Sequence, residues 1–404
     1  MPVTFLTGAT GFVGQAVLAR LLERTDRDVG VLVRAGSQEG AQARVRGILR
    51  SLLGDADRHA DRVHAARGDL LRPGLGLDAA THAQLADQVD EILHAGASVS
   101  FNLSLEKSRA INVAGTRRVL ELAERCRHLR RLTYVSTAYV AGDRSDIATE
   151  DELDVGQGFR NPYEQSKHEA ERLVRAHGDR LPLTIVRPSI VVGERGTGWT
   201  SSFNVIYGPL RAFASGAYRI LPGRSGAVID VVTVDHVADA VLALTAAPQA
   251  EGGTFHAVAG DRAATLGELL ALAARRFGHP SPRLLPPPLY RRLVHPIVLR
   301  RASKRARKAL RASEIYFPYF SLRMRFDDRR ARELLEPAGI AATPIAEHFD
   351  TMIDFAEQAE WGRRTVTRAE AAPSPLLEPA AGDEVVEDDQ VAARRRDHLP
   401  VAPA

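Results

Sequence analysis

The sequence predicts an α/β protein built on a doubly wound parallel sheet, with a smaller C-terminal domain and an acidic tail. Three observations predict it. Short runs rich in β-branched residues alternate with amphipathic stretches of helical period through residues 1–188. A cluster of glycines falls at the first strand-to-helix turn. The alternation then loosens after Pro188. Strand, helix, strand in this rhythm requires crossovers, and crossovers give parallel pairs with both faces of the sheet covered.

Each element has its own warrant. "VTFLT" (3–7) is apolar and reads as a buried strand, followed by a helix over 12–25. "VGVLV" (29–33) is the second strand, with a helix over 38–53. Further strands are predicted at 62–67, 90–95, 131–136 and 182–187, with helices over 104–127 and 162–177. Beyond Pro188, "AVIDVVTV" (227–234) reads as a strand, "DHVADAVLALTAA" as a helix, and "TFHAV" (254–258) as a strand. "TLGELLALAARRFG" opens on a capping box, Thr265 with Glu268, and stops at Gly278. The reading is a first domain over 1–188, a second over 189–362 with some segments returning to the sheet, and a disordered tail over 363–404 rich in Ala, Pro and acids.

Composition narrows the function classes. The 404 residues are 45% hydrophobic and 26% charged, as in globular proteins. A single cysteine, Cys126, excludes an intramolecular disulfide and suits a reducing compartment. No apolar run reaches the ~18 residues of a membrane span. "MPVTFLTGATGFVG" lacks a secretory pattern. The expected location is the cytoplasm, with a peripheral contact at a membrane surface. Net charge is +4, but residues 365–404 hold eight acids and four arginines, so the rest carries +8. A basic body suits phosphate-bearing ligands.

The glycines are Gly8, Gly11 and Gly14, interleaved with Thr10, Phe12 and Val13. In such a loop the first glycine turns the chain, the second admits a pyrophosphate, and the third lets helix and strand pack closely. The helix N-terminus then offers free N–H groups to phosphate. This is the dinucleotide site of a Rossmann domain. The second strand ends at Arg34, and no acid lies between Asp28 and Glu39. An acid there would hold a ribose hydroxyl; an arginine pairs with a 2′-phosphate, which favours NADP(H). Arg44 on the next helix is placed to join it. Asp69, at the third strand's end, suits the adenine amino group, with Leu70 beside it. Ala95 and Gly96 are small enough for the cofactor to lie against the fourth strand's end. His94 reads as a core histidine.

"NPYEQSKHEAE" (161–171) supplies the chemistry. Asn161 is a good N-cap and Pro162 a good first helical residue. Tyr163 and Lys167 then share one helix face. The expectation is that the Lys167 ammonium lowers the phenol's pKa and binds the nicotinamide ribose. "YVSTAYV" places Thr137, with Ser136 in reserve, to bond a substrate oxygen. Asn112 is expected to hold a water next to Lys167.

With these motifs in place, the sequence resembles the extended short-chain dehydrogenase/reductase family, closest to the branch of fatty acyl-CoA reductases (male-sterility-type proteins) and thioester reductase domains. The resemblance rests on "TGATGFVG", "LVRAGSQEGAQARV", "GDL", "HAGASVSFNLSLEKSRAINVAGTRRVLELA", "YVSTAYV", "NPYEQSKHEAE", "IVRPSIVVGE" and "DVVTVDHVADA". It implies Thr137, Tyr163 and Lys167 as the catalytic triad with Asn112 assisting. It implies Arg34 and Arg44 at the 2′-phosphate, and Pro188 and Ser189 against the nicotinamide. The activity implied is NADPH-dependent reduction of an acyl thioester to aldehyde, or on to alcohol. The substrate is held on coenzyme A or a separate carrier protein, because no carrier-attachment motif is present. Two alternatives stay open: a ketone or hydroxysteroid-type dehydrogenase or nucleotide-sugar epimerase on the same scaffold, and a non-catalytic NADP-sensing scaffold protein.

Residues 283–312 hold ten Lys or Arg and no acid, with Leu289, Leu293 and Ile297 at spacing four. This segment reads either as a solvated basic helix or as a contact for a membrane surface or coenzyme A phosphates. The arginines lack interleaved stacking aromatics, which argues against nucleic acid.

Overall fold

Seven strands form one parallel sheet: β1 (Val3–Thr7), β2 (Asp28–Val33), β3 (Val63–Arg67), β4 (Val89–His94), β5 (Arg131–Val135), β6 (Leu183–Pro188) and β7 (Thr254–Ala257). In this computed structural model the described residues are 2–216, 218–301, 307 and 314–371. The strand order is β3-β2-β1-β4-β5-β6-β7. Thr7 at the end of β1 sits opposite Leu32 on one side and His94 on the other. The order reverses between β1 and β4, so the loops leaving these two strands part and open a crevice at the carboxyl edge.

Helices cover both faces. On one lie α1 (Phe12–Arg24), α2 (Gln38–Leu53) and α7 (Val234–Ala246), where Leu18, Leu49 and Val237 join one buried cluster. On the other lie α3 (Ala79–Gln88), α4 (Leu105–Ala123) and α5 (Pro162–Arg175), where Leu85, Val119 and Val174 join a second. Each such side chain contributes roughly 1.5–3 kcal/mol of burial. A third cluster joins α6 (Tyr207–Ala214), α8 (Leu266–Phe277) and α9 (Ile345–Gln358). Thr265 and Glu268 form the expected reciprocal cap of α8, which ends at left-handed Gly278.

Two segments differ from the sequence reading. "AVIDVVTV" is two short strands. Val228–Ile229 pairs antiparallel with Ala264–Thr265, and Val231–Thr233 pairs parallel with Ile190–Val192. Between them the buried Asp230 carboxylate accepts from the amides of Ala259 (2.8 Å) and Gly260 (3.0 Å). A buried acceptor needs donors, and meeting that need breaks the strand. Second, residues 363–371, read as the start of the tail, dock on the body. Arg368 is 6% exposed and pairs with Glu194 (2.6 Å) and Glu23 (2.9 Å). The rest of the predicted tail, 372–404, lies outside the described residues, as do 302–306 and 308–313 of the basic segment. No helix among the described residues is long and apolar enough to cross a membrane.

Candidate active site

The glycine loop is built for close approach. Gly8 has φ +86°, and a Cβ there would sit 2.6 Å from the Ala95 carbonyl carbon and the Gly96 nitrogen. A Cβ at Gly14 would sit 2.2 Å from the Gly8 oxygen. The loop therefore brings β1, β4 and α1 together at a distance only glycine permits. α1 starts with Gly11 as its N-cap and no side-chain cap, leaving its first N–H groups free for an anion.

A cavity of about 430 Å³ opens over the carboxyl ends of β1, β4, β5 and β6. Gly8, Thr10, Gly11, Phe12, Val13 and Gly14 line one end. Ala95, Pro188 and Ser189 line the floor, and Thr137, Tyr163 and Lys167 the wall beyond. This end, with its three glycines and the free N–H groups of α1, fits a dinucleotide pyrophosphate.

The remaining predicted cofactor residues stand outside this wall. Arg34 is exposed just past β2, and Arg44 donates from Nη1 to the Arg34 carbonyl at 3.0 Å. The two guanidinium-bearing residues are thus neighbours at one strand end. Asp69 is occupied locally: its Oδ1 accepts from Leu71 N at 2.9 Å and its own amide donates to Leu75 O at 2.6 Å. The carbonyl of Leu70 accepts from Arg118 at 2.7 Å, and its side chain abuts Gly96. His94 is a core residue. Its ring nitrogens pair with Thr7 (2.6 Å) and Thr116 (3.0 Å), and burial pushes its pKa down to about 3.

At the wall, Asn161 caps α5 by accepting from Glu164 N at 3.0 Å, with Pro162 next. This places Tyr163 and Thr137 together in the cavity wall, where Thr137 works to lower the phenol's pKa. Thr137 also donates to the Pro188 carbonyl at 3.3 Å, tying the ends of β5 and β6. Ser136 is otherwise engaged: it donates to buried Glu171 at 2.6 Å, and Glu171 is paired with Arg187 at 2.6 Å. Burial works to raise the Glu171 pKa, but the Arg187 and Arg175 charges overcome it and hold the carboxyl below its usual range.

The structure corrects one expectation, the lowered phenol. Burial pushes the Tyr163 phenol up to about 12, against a smaller lowering by Thr137. The Lys167 amine does not lower it, because it is drawn to β5. It donates to the Tyr134 hydroxyl (2.6 Å) and the Val135 carbonyl (2.9 Å), and burial pushes its own pKa down to about 7. Asn112 is likewise committed. Its Oδ1 accepts from Ser98 N (2.8 Å), and its Nδ2 donates to Ser98 O (3.1 Å) and Ser166 Oγ (2.9 Å). It ties the loop after β4 to α4 and α5, a positioning role across three segments of the chain.

Sequence reasoning missed the aromatic wall. The Phe101 ring stacks between Tyr163 (5.6 Å, 28°) and Tyr319 (5.7 Å, 16°). The Tyr319 hydroxyl accepts from Asn161 at 2.7 Å and donates to the Glu164 carboxylate, locking the wall to the start of α5. The apolar run "IYFPYF" was its only trace in the sequence.

This geometry has relatives. A family model described as male sterility protein matches residues 6–241. The chain is 37% identical over 272 residues to nonribosomal peptide synthetase asaC of Aspergillus flavus, covering 63% of this chain and 26% of that protein. It is 33% identical over 276 residues to fatty acyl-CoA reductase 1 of Mus musculus, covering 59% and 53%. The chain thus spans about half or less of the length of these curated relatives. Among solved structures, the terminal R domain from the myxalamid PKS-NRPS biosynthetic pathway superposes with a TM-score of 0.78 at 29% identity, over 90% of this chain and 92% of that one. The chain belongs to the male sterility protein family, in the branch of the extended short-chain dehydrogenase/reductases that holds the fatty acyl-CoA reductases and thioester reductase domains.

Proposed function

We propose that this protein is an NADPH-dependent reductase of acyl thioesters carried on coenzyme A or a separate carrier protein. The observation that carries the reading is that Thr137 and Tyr163 line one wall of a cavity whose other end is the glycine loop. The names of the relatives, a fatty acyl-CoA reductase and a reductase domain of a synthetase pathway, support the substrate class. A nicotinamide, when bound, supplies a hydride to the thioester carbonyl carbon. Gly8, Gly11 and Gly14 would hold its pyrophosphate, and Arg34 with Arg44 its 2′-phosphate.

The chain's own groups do the rest. A phenol with a pKa near 12 stays protonated at neutral pH, so Tyr163 is in its donor form. Tyr163, and Thr137 once its hydroxyl turns from the Pro188 carbonyl, bond the substrate carbonyl oxygen as negative charge grows on it, each worth about 3 kcal/mol. Tyr163 then delivers its proton to that oxygen. Lys167, with a pKa near 7, holds a proton that can restore the phenol. The resulting hemithioacetal collapses to aldehyde and thiol.

The test monitors NADPH absorbance with purified protein and a panel of acyl-CoAs, ketones and aldehydes. Acyl-CoAs should oxidise NADPH. Tyr163→Phe should lower kcat by about 10²–10⁴ with NADPH affinity kept. Arg34→Asp should raise KM for NADPH far more than for NADH. Turnover of ketones alone would overturn the thioester reading, and an equal effect on both cofactors would overturn the NADP assignment.

We further infer a cytoplasmic protein that touches anionic membrane through residues 287–301. Leu289, Leu293 and Ile297 are 42%, 53% and 52% exposed there, beside exposed Arg291, Arg292 and Arg300. Cosedimentation with phosphatidylserine vesicles reads this contact.

A further inference from the structure

Next to the catalytic cavity lies a second, smaller chamber of about 60 Å³. Ile190, Val205 and Tyr319 line both, so the two spaces adjoin across these side chains. The far wall comes from α6, with Leu210 and Phe213, and from α8, with Leu269 and Leu270. No charged residue and no amide side chain lines the chamber. The hydroxyl of Tyr319 is held by Asn161 and Glu164. Val205, at the shared boundary, has φ +47°, a conformation that β-branched residues rarely adopt.

We propose that this chamber receives the hydrocarbon end of the acyl chain and sets the preferred chain length. The proposal rests on the thioester reading and deepens it. A carbonyl bonded to Thr137 and Tyr163 has its acyl substituent in the same cavity as Tyr319, Val205 and Ile190. The apolar space that adjoins that cavity, across these three side chains, is the chamber. Its volume is several times the ~10–15 Å³ that admits one water, yet apart from tyrosine rings its lining is aliphatic side chains, Pro209 and phenylalanine, and the surface it presents is almost wholly apolar. Such a space favours apolar ligands and rejects a polar or charged chain end, which would be stripped of water without a partner. Of the far wall, the α6 side lies within the region the family model matches, and the α8 side lies beyond residue 241, where that match ends.

Leu270 gives the test, since a larger or smaller side chain there fills or extends the chamber. The measurement is kcat/KM for acetyl-, butanoyl-, hexanoyl- and dodecanoyl-CoA on wild type, Leu270→Trp and Leu270→Ala. NADPH affinity is measured on all three as a check of folding. Wild type should gain about fourfold per methylene until the chamber is full, the fold-change of ~0.8 kcal/mol of burial. Leu270→Trp should collapse the hexanoyl-to-acetyl ratio, and Leu270→Ala should move the optimum to longer chains. Ratios unchanged in both variants, with thioesters still reduced, would overturn the chamber and leave the reductase standing. If no CoA thioester is reduced, coenzyme A fails as the carrier instead. The chamber is then read by the fluorescence of cis-parinaric acid. Enhancement by wild type that Leu270→Trp abolishes supports an apolar-chain site, and enhancement that persists in Leu270→Trp overturns it.

Discussion

Lys167 carries an amine into a place with little water. Its side chain reaches Tyr134 and Val135 on β5, and burial pulls its pKa from 10.5 to about 7. The consequence for stability has a definite sign. Between pH 7 and 10.5 the unfolded chain binds a proton at Lys167 that the folded chain has lost. Stability contributed by this group therefore rises with pH across that window, by up to ~1.4 kcal/mol per pH unit. Below pH 7 both states carry the proton and the contribution is flat. In urea titrations, wild type should gain on Lys167→Met as pH rises through the window. Parallel curves for the two proteins would show that the amine titrates normally in the folded state. The Tyr–Lys spacing was legible in sequence because i and i+4 share a helix face. The partners of the amine were not, because they sit on a strand in another part of the chain.

At the scale of elements, α5 shows what local chemistry decides. Asn161 as cap and Pro162 at the first position start the helix where the sequence places it, and Tyr163 is presented as a result. The basic run over 287–301 shows the reverse. Its spacing of Leu289, Leu293 and Ile297 predicted a common face, but only the fold shows that this face is left exposed while Tyr290 is buried. An apolar stripe beside arginines matches an anionic bilayer, where each charge adds ~1 kcal/mol. Replacing Arg291, Arg292 and Arg300 together with Gln should weaken binding to phosphatidylserine vesicles by about a hundredfold at low salt. Unchanged sedimentation would dismiss the membrane contact.

Across the whole molecule, one buried ionic cluster ties distant segments together. Arg20 of α1 bonds Asp239 of α7 at 2.6 Å and lies 3.8 Å from Glu194, and Arg368 joins Glu194 to Glu23. The Glu194 side chain has no exposure, so losing Arg368 leaves a buried carboxylate with one distant cation. Arg368→Met should cost about 3 kcal/mol in urea unfolding, the lower end of the range for breaking a buried pair, because Arg20 remains. A chain ending at residue 363 should lose at least as much, and one ending at 371 should match wild type. Equal stability of all three would show that the docked segment adds nothing. Composition assigned this segment to a tail because Ala, Pro and acids dominate residues 372–404. A single buried arginine outweighs that average.

Local sequence was enough to determine the alternation of strands and helices, the glycine loop, the caps of α5 and α8, and the pairing of Tyr163 with Lys167 on one face. All of these are written in periods of two to four residues or in backbone conformations only glycine adopts. Long-range packing decided that Asn112 is a tether, that Lys167 turns to β5, that Phe101 lies between Tyr163 and Tyr319, and that an apolar chamber adjoins the catalytic cavity. These depend on contacts such as Asn161 with Tyr319, 158 residues apart, where no local period carries information. Burial then changed the charges of the groups it enclosed, and burial is a property of the folded whole.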